Sequence, residues 1–218
     1  MKDVFGLIYT SDESDMRLRD LTRSRSIAAM PIGGRYRVID VLLSNLVHSG
    51  VSNVGLITQR NYHSLMDHLE SGKAWDLNRK RDGLFILPPY VTRSSTGSYS
   101  GLLDAIRSNL NYVRRASQRY ALISGVRDMS IESGSSTVFN MKFDDMMAQH
   151  LATGADITIL YNVPADDESN GDADRTHLKM DESGRVVDIE VTPHLNTYPN
   201  VSMDVYIMDK ALLTYLVE

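Results

Sequence analysis

The chain alternates between short runs of apolar, β-branched residues and longer segments whose apolar residues recur at helical spacing. Residues 4–9 form an unbroken apolar run, which is typical of a strand buried on both faces. Residues 37–49 place Val38, Leu42 and Leu46 on one ridge, which predicts a helix that Gly50 ends. Strands that alternate with helices over short connections favour a doubly wound α/β fold. Its sheet should be mixed but mostly parallel, with helices on both faces.

The same alternation continues to the end of the chain. Residues 100–115 have the clearest helical periodicity, and Ser100 is the expected N-cap. Between two β-like runs, the residues DESG at 181–184 predict a hairpin turn. The other predicted strands cover residues 54–58, 84–87, 120–124, 156–162, 176–180, 185–191 and 202–208, and the other predicted helices cover residues 62–70, 144–153 and 210–217.

Composition excludes several classes of function. The 218 residues include no cysteine, so a disulfide framework, a thiolate metal site and a cysteine nucleophile are all excluded. Lys and Arg number 23 against 28 Asp and Glu, and no basic stripe stands out, so we expect no nucleic-acid partner. No apolar run is long enough for a membrane span, and the first residues do not form a secretory signal. We therefore expect a cytoplasmic protein with no membrane partner.

Several motifs resemble one bacterial enzyme family. They are RLRDLT at residues 17–22, PIGGRYRVIDVLLSN at 31–45, GLITQ at 55–59, GLLDA at 101–105, GADIT at 154–158 and SMDVY at 202–206. In this order they are similar to the bacterial glucose-1-phosphate adenylyltransferases (ADP-glucose pyrophosphorylases), and in particular to the GlgD-type subunits. The resemblance implies one nucleotidyltransferase-like, Rossmann-like domain over residues 1–218. The left-handed β-helix domain that follows in the family is absent, so we expect a truncated chain.

The loop after the first strand departs from the family pattern. Family members move an adenylyl group from ATP to glucose 1-phosphate, and glycines in this loop let backbone N–H groups approach the triphosphate. Here residues 10–16 read TSDESDM, with no glycine and three carboxylates. Like charges about 4 Å apart cost roughly 1 kcal/mol per pair in water, and several times that near a protein surface. Only Arg17, directly after the loop, could still hold a phosphate.

Other positions that contact anions or metal in the family are also changed. The family's lysine falls on Ile27, and its metal-binding aspartate falls near residues 134–136, which read GSS. Residues 126–133 look like an insertion, and the family's serine–glycine step could instead fall on Ser124 and Gly125. Asp128 then lies near the metal position, where the default reading is an exposed loop aspartate and the alternative is a displaced metal ligand. The family's sugar-phosphate lysine is missing from the EVTP of residues 190–193, and Asp204 replaces a glycine.

These comparisons predict a degenerate nucleotide site. The residual nucleotide-binding residues are Arg17, Gly101 and Asp104, with no catalytic residue and no metal site. The family uses Mg²⁺, whereas we expect no cofactor here. The first hypothesis is a regulatory or structural subunit of glucose-1-phosphate adenylyltransferase that pairs with a homologous catalytic subunit as a hetero-oligomer. The alternatives are an active enzyme with a remodelled site and a module that binds a small-molecule effector without turnover.

Overall fold

The centre of the fold is a parallel sheet built around the first strand. The computed structural model describes residues 1–10, 19–89, 99–126, 139–163, 176–191 and 198–218. Strand β1 (Val4–Thr10) lies between β4 (Asn53–Ile57) and β6 (Tyr120–Val126) and is parallel to both. Strand β5 (Gly83–Leu87) extends the sheet in parallel beyond β4. All seven residues of β1 are buried, as its continuous apolar sequence predicts.

The other half of the sheet is antiparallel. Strand β10 (Asn200–Asp209) runs antiparallel to β6 and also to β7 (Ile157–Asn162). Near its start it pairs with β8 (Thr176–Met180), which forms a hairpin with β9 (Val186–Val191). The predicted DESG turn joins these last two strands. The doubly wound, mixed sheet of the expected fold class is thus confirmed, with the parallel strands β5, β4, β1 and β6 side by side in one half and the antiparallel strands in the other.

Helices cover both faces of the sheet. Because side chains alternate along a strand, Val4 and Ile8 of β1 join one buried cluster, while Phe5, Leu7 and Tyr9 join another. The first cluster includes residues of α1, α2 and α5, and the second includes residues of α3, α4 and α6. The helices are α1 (Val38–His48), α2 (His63–Leu69), α3 (Leu102–Ser108), α4 (Leu110–Arg115), α5 (Asp144–Thr153) and α6 (Lys210–Val217).

The predicted helix over residues 100–115 is interrupted. It divides into α3 and α4 at Asn109, whose backbone leaves the helical region at φ −109° and ψ 21°. The Asn109 side-chain amide donates to the carbonyl of Ala105 at 2.9 Å, so it competes with the backbone for that acceptor. The expected cap was also wrong, because Gly101 and not Ser100 is the N-cap of α3.

A small ribbon precedes α1. Strands β2 (Pro31–Ile32) and β3 (Tyr36–Arg37) pair with each other, and Gly33 and Gly34 form their turn at φ 57° and 77°. The side chain of Asp40 accepts from the backbone N–H of Arg37 at 2.9 Å, which closes the first turn of α1. In the described part of the chain, no helix combines the length and hydropathy required to traverse a bilayer.

Candidate functional site

The strand order reverses at the carboxyl end of β1. From β1 the chain moves outward to β4 and β5, and it then returns to β6 on the other side of β1. Tyr9 and Thr10 at this end lie opposite Gly125 and Val126 of β6. In open α/β sheets, ligands bind in the crevice outside such a switch point. The topology therefore places the candidate site here, at the carboxyl ends of β1 and β6.

A cluster of hydrogen-bonded side chains occupies this end of the sheet. Gln59 follows β4 and is only 3% exposed, and its amide nitrogen donates to the hydroxyl of Tyr9 at 2.6 Å. The Gln59 side-chain oxygen accepts from the backbone N–H of Tyr99 at 3.4 Å. The hydroxyl of Tyr99 accepts in turn from Asn109 at 3.2 Å. Both ends of the Gln59 amide are thus bound within the protein.

Hydroxyl groups complete the described edge between β1 and β4. Thr10 is 2% exposed, and its hydroxyl donates to the carbonyl of Ile57 at 3.4 Å. Thr58 is 1% exposed, and its hydroxyl has no hydrogen-bond partner among the residues that the structure describes. A buried hydroxyl without a partner is unusual in a folded protein. The edge between β1 and β4 therefore places polar groups inside an apolar core.

Gly101 and Asp104, two of the predicted nucleotide-binding residues, lie at the start of α3. The Asp104 carboxylate accepts from the backbone N–H of Ser100 at 3.0 Å and from its hydroxyl at 3.1 Å. It therefore stabilises the entry to its own helix. Both residues line an open groove of about 590 Å³, whose opposite wall includes Leu216 and Val217 of α6. Arg17, Asp128 and residues 134–136 lie outside the described residues.

The position that the resemblance gives to a lysine lies in the core. Ile27 begins a short 3₁₀ helix (Ile27–Ala29), is 1% exposed and belongs to the same buried cluster as Ile39 and Leu65. An ammonium group in these surroundings would lose its hydration without gaining a described anionic partner. The side chain at this position therefore packs the core.

The position of the replaced glycine keeps a glycine-like backbone. Asp204 has φ 54° and lies where the register between β10 and β7 shifts. Its backbone N–H donates to the Ser202 hydroxyl at 3.2 Å, and its carboxylate accepts from the Tyr206 hydroxyl at 3.0 Å. Because the next residue, Val205, is paired with Ser124, Asp204 lies beside the carboxyl end of β6.

Sequence reasoning assigned no role to two buried polar residues that hold the fold together. Gln59 is one of them, and Asn45 of α1 is the other. The Asn45 amide donates to the carbonyl of Phe139 at 2.7 Å and accepts from the N–H of Met141 at 3.3 Å. Both are polar residues that the sequence places within or directly after apolar runs, and this placement is the signal that could have identified them. Asn45 fixes the chain where it returns to the described part after residues 127–138.

Mg²⁺, which the family uses, prefers carboxylate oxygens as ligands. At the described end of the sheet, the last residues of β1 and β6 offer Thr10, Ser124 and backbone groups, and the carboxylate of Asp204 lies beside β6. Over the described ranges, no group of three His, Asp or Glu side chains is arranged to hold a metal ion.

Comparison with curated proteins finds relatives with two names. Glucose-1-phosphate adenylyltransferase of Thermomicrobium roseum is 38% identical over 98% of this chain and 47% of its own length. Glycogen biosynthesis protein GlgD of Geobacillus stearothermophilus is 42% identical over 65% of this chain and 38% of its own length. The GlgD of Bacillus subtilis is 40% identical over 66% of this chain and 39% of its own length. The chain thus spans about half or less of the length of these proteins.

Solved structures and a family model agree on the fold. A protein of Bacillus anthracis, assigned as a glucose-1-phosphate thymidylyltransferase and crystallised with a sucrose, superposes with a TM-score of 0.73. The superposition covers 99% of this chain and 75% of that one at 13% identity, so the likeness is one of fold. The family model described as Nucleotidyl transferase matches residues 14–218. This chain therefore belongs to the nucleotidyl transferase family, with relatives named glucose-1-phosphate adenylyltransferase and glycogen biosynthesis protein GlgD.

Proposed function

We propose that this chain is a regulatory or structural subunit in bacterial glycogen biosynthesis and that it modulates the synthesis of ADP-glucose without turnover of its own. Its relatives bear the names of the adenylyltransferase and of GlgD. The GlgD relatives are 42% and 40% identical over 65% and 66% of the chain, and the adenylyltransferase is 38% identical over 98% of it. The chain keeps the fold of the family while the residues that would hold anions are changed. A protein of this kind acts through a partner.

The observation that carries the proposal is the burial of Ile27. At the position that the resemblance assigns to a lysine, this chain packs an isoleucine of 1% exposure against the core. The loop sequence TSDESDM supports the same conclusion, because it has three carboxylates and no glycine where a triphosphate would bind. A site that has lost a cation and gained anions repels both ATP and glucose 1-phosphate.

The proposed partner is a homologous catalytic subunit. A subunit that keeps the family fold retains the surfaces through which homologous chains assemble, and hetero-oligomers of related subunits commonly divide catalysis from regulation between them. A small-molecule effector could bind to such an assembly.

The experiment compares pyrophosphate release by the chain alone, by the catalytic adenylyltransferase of the same organism, and by a mixture of the two. We expect no release by the chain alone. In the mixture we expect the substrate or effector concentration at half-maximal rate to change by about fivefold or more, which corresponds to a coupling of roughly 1 kcal/mol.

Two outcomes contradict the proposal. Release of pyrophosphate by the chain alone identifies a remodelled active enzyme. An unchanged rate and unchanged saturation in the mixture, at concentrations where light scattering detects a complex, eliminate the regulatory role. Bovine serum albumin at equal concentration serves as the control for nonspecific stabilisation of the catalytic subunit.

A further inference from the structure

The aromatic ring of Tyr9 lies where the switch point of the sheet should admit a ligand. Three residues of β1, Phe5, Leu7 and Tyr9, face α3, α4 and α6. Of these three residues, Tyr9 lies nearest the carboxyl end of the strand. The side chain is 6% exposed and belongs to the same buried cluster as Ile57 and Ala105. An aromatic side chain thus fills the apolar space between the strand ends and the start of α3.

The surroundings of the ring have the chemistry of a nucleobase pocket. A purine or pyrimidine needs a flat apolar slot and an amide that can donate and accept at its edge, and glutamine provides both functions. Gln59 is placed to supply such an edge, but its nitrogen is bound to the Tyr9 hydroxyl at 2.6 Å and its oxygen to the Tyr99 N–H at 3.4 Å. The phenol therefore satisfies the group that a base would use.

We propose that Tyr9 is an internal occupant of the nucleobase pocket and excludes nucleotides from it, whatever the phosphate loop does. The proposal deepens the proposed function and rests on it in one respect, since it assumes that the family's nucleotide end lies at this switch point. It differs in the residues that carry it. The loss of phosphate contacts concerns residues 10–16 and Ile27, whereas the closure of the base pocket concerns Tyr9, Gln59 and Tyr99.

Removal of the ring should open the pocket to a nucleoside. We choose adenosine as the probe, because it has a base and a ribose but no phosphate to be repelled. Tyr9→Ala should bind adenosine at least tenfold more tightly than the unaltered chain, with a Kd of about 1 mM or below. Titration followed by ¹H–¹⁵N NMR should shift the side-chain amide signals of Gln59.

The matched control is Phe5→Ala, which removes an aromatic ring from the same face of the same strand near its amino end. This variant also creates a cavity, but away from Gln59, and should not gain adenosine binding. Tyr9→Phe retains the ring, so it should remain closed although the hydroxyl is lost. Should Tyr9→Ala fail to fold, Tyr9→Val shortens the side chain while keeping a β-branched residue in the strand.

Two results would overturn the inference. One is equal affinity of the unaltered chain and Tyr9→Ala for adenosine. The other is a folded Tyr9→Ala or Tyr9→Val variant that binds adenosine no better than Phe5→Ala. Neither result bears on the assay with the catalytic subunit, and an unchanged rate in the mixture of subunits leaves the adenosine comparison intact. Pyrophosphate release by the chain alone would contradict both proposals, because turnover requires a bound nucleotide. The adenosine titration distinguishes a failure of this inference from a failure of the regulatory role.

Discussion

Asp204 holds a backbone conformation that side chains rarely adopt. Its φ of 54° lies in the left-handed region, where glycine is favoured and Asp or Asn is tolerated better than most residues. Its hydrogen bonds with Ser202 and Tyr206 hold it in this conformation. Asp204 thus has a backbone conformation that favours glycine, the residue that the resemblance implies at this position.

We predict that the free energy of unfolding will follow backbone strain at this position. Asp204→Val should unfold about 1–3 kcal/mol more easily than Asp204→Gly, because a β-branched side chain cannot relax at positive φ. Urea titration measures the difference. Asp188, an exposed residue of β9 without positive φ, is the control, and there Val should be more stable than Gly. Equal stability of the two Asp204 variants would contradict the strain argument.

Helix α1 is tied to the segment that leads into α5. Besides the two hydrogen bonds of Asn45, the hydroxyl of Ser49 donates to the Asn45 carbonyl at 2.7 Å and accepts from the N–H of Phe143 at 2.8 Å. These contacts join residues that are 94 or 96 positions apart in the chain. Helix α1 and the segment before α5 are far apart in the sequence, and hydrogen bonds between side chains and backbone groups hold them together.

Asn45→Ala should cost about 2–4 kcal/mol, since it leaves the Phe139 carbonyl and the Met141 N–H without partners. Hydrogen exchange at the Met141 amide should lose its protection before the rest of the chain unfolds. Asn109→Ala is the comparison, because Asn109 is also buried. Alanine favours the helix that Asn109 interrupts, so the loss of stability should be smaller at this position. Unchanged protection at Met141 would show that Asn45 does not hold this segment.

At the scale of the whole molecule, a buried histidine links stability to pH. His150 of α5 is 5% exposed, its Nδ1 is 2.8 Å from the hydroxyl of Thr158, and its ring meets Tyr120 edge-on. Burial lowers the pKa of His150 below 6.5, and the charge of Asp209 opposes this only in part. The folded state thus binds this proton less readily than the unfolded state does.

Stability should therefore be greatest above pH 6.5 and fall as the pH decreases through 6.5 toward the lower pKa of the folded state. We expect the free energy of unfolding of His150→Gln to vary less between pH 7.5 and 5.5 than that of the unaltered chain. His48→Gln, at an exposed histidine, should retain the unaltered slope. Urea midpoints at several pH values give the slopes, and parallel slopes for all three proteins would remove His150 as the cause.

Most helices and strands could be predicted because their signals are local. The predicted strand 176–180 and the predicted helices 144–153 and 210–217 have the same ends in the structure. The break at Asn109 was missed because it depends on a side-chain hydrogen bond that competes with a strong apolar periodicity. The cluster of Tyr9, Gln59 and Tyr99 was missed because its members are 50 and 40 residues apart.

The predicted site residues show the same difference between local signals, which the sequence reveals, and contacts that depend on the fold. Gly101 and Asp104 lie together because they are neighbours on one helix, but Asp104 is engaged with Ser100, which spacing alone does not reveal. The burial of Ile27 follows from packing against α1 and α2, and a motif comparison shows the substitution without showing where its side chain lies. The nucleotide-binding role of Gly101 and Asp104 stays a prediction.

The contacts of Asn45 and Ser49 have an evolutionary consequence. Residues 127–138 connect β6, which is paired in the sheet, to a segment that hydrogen bonds with Asn45 and Ser49 hold near α1. A change of sequence between two such fixed points need not move either of them. Natural selection on folding would therefore constrain the sequence of this connection less than that of the segments it joins.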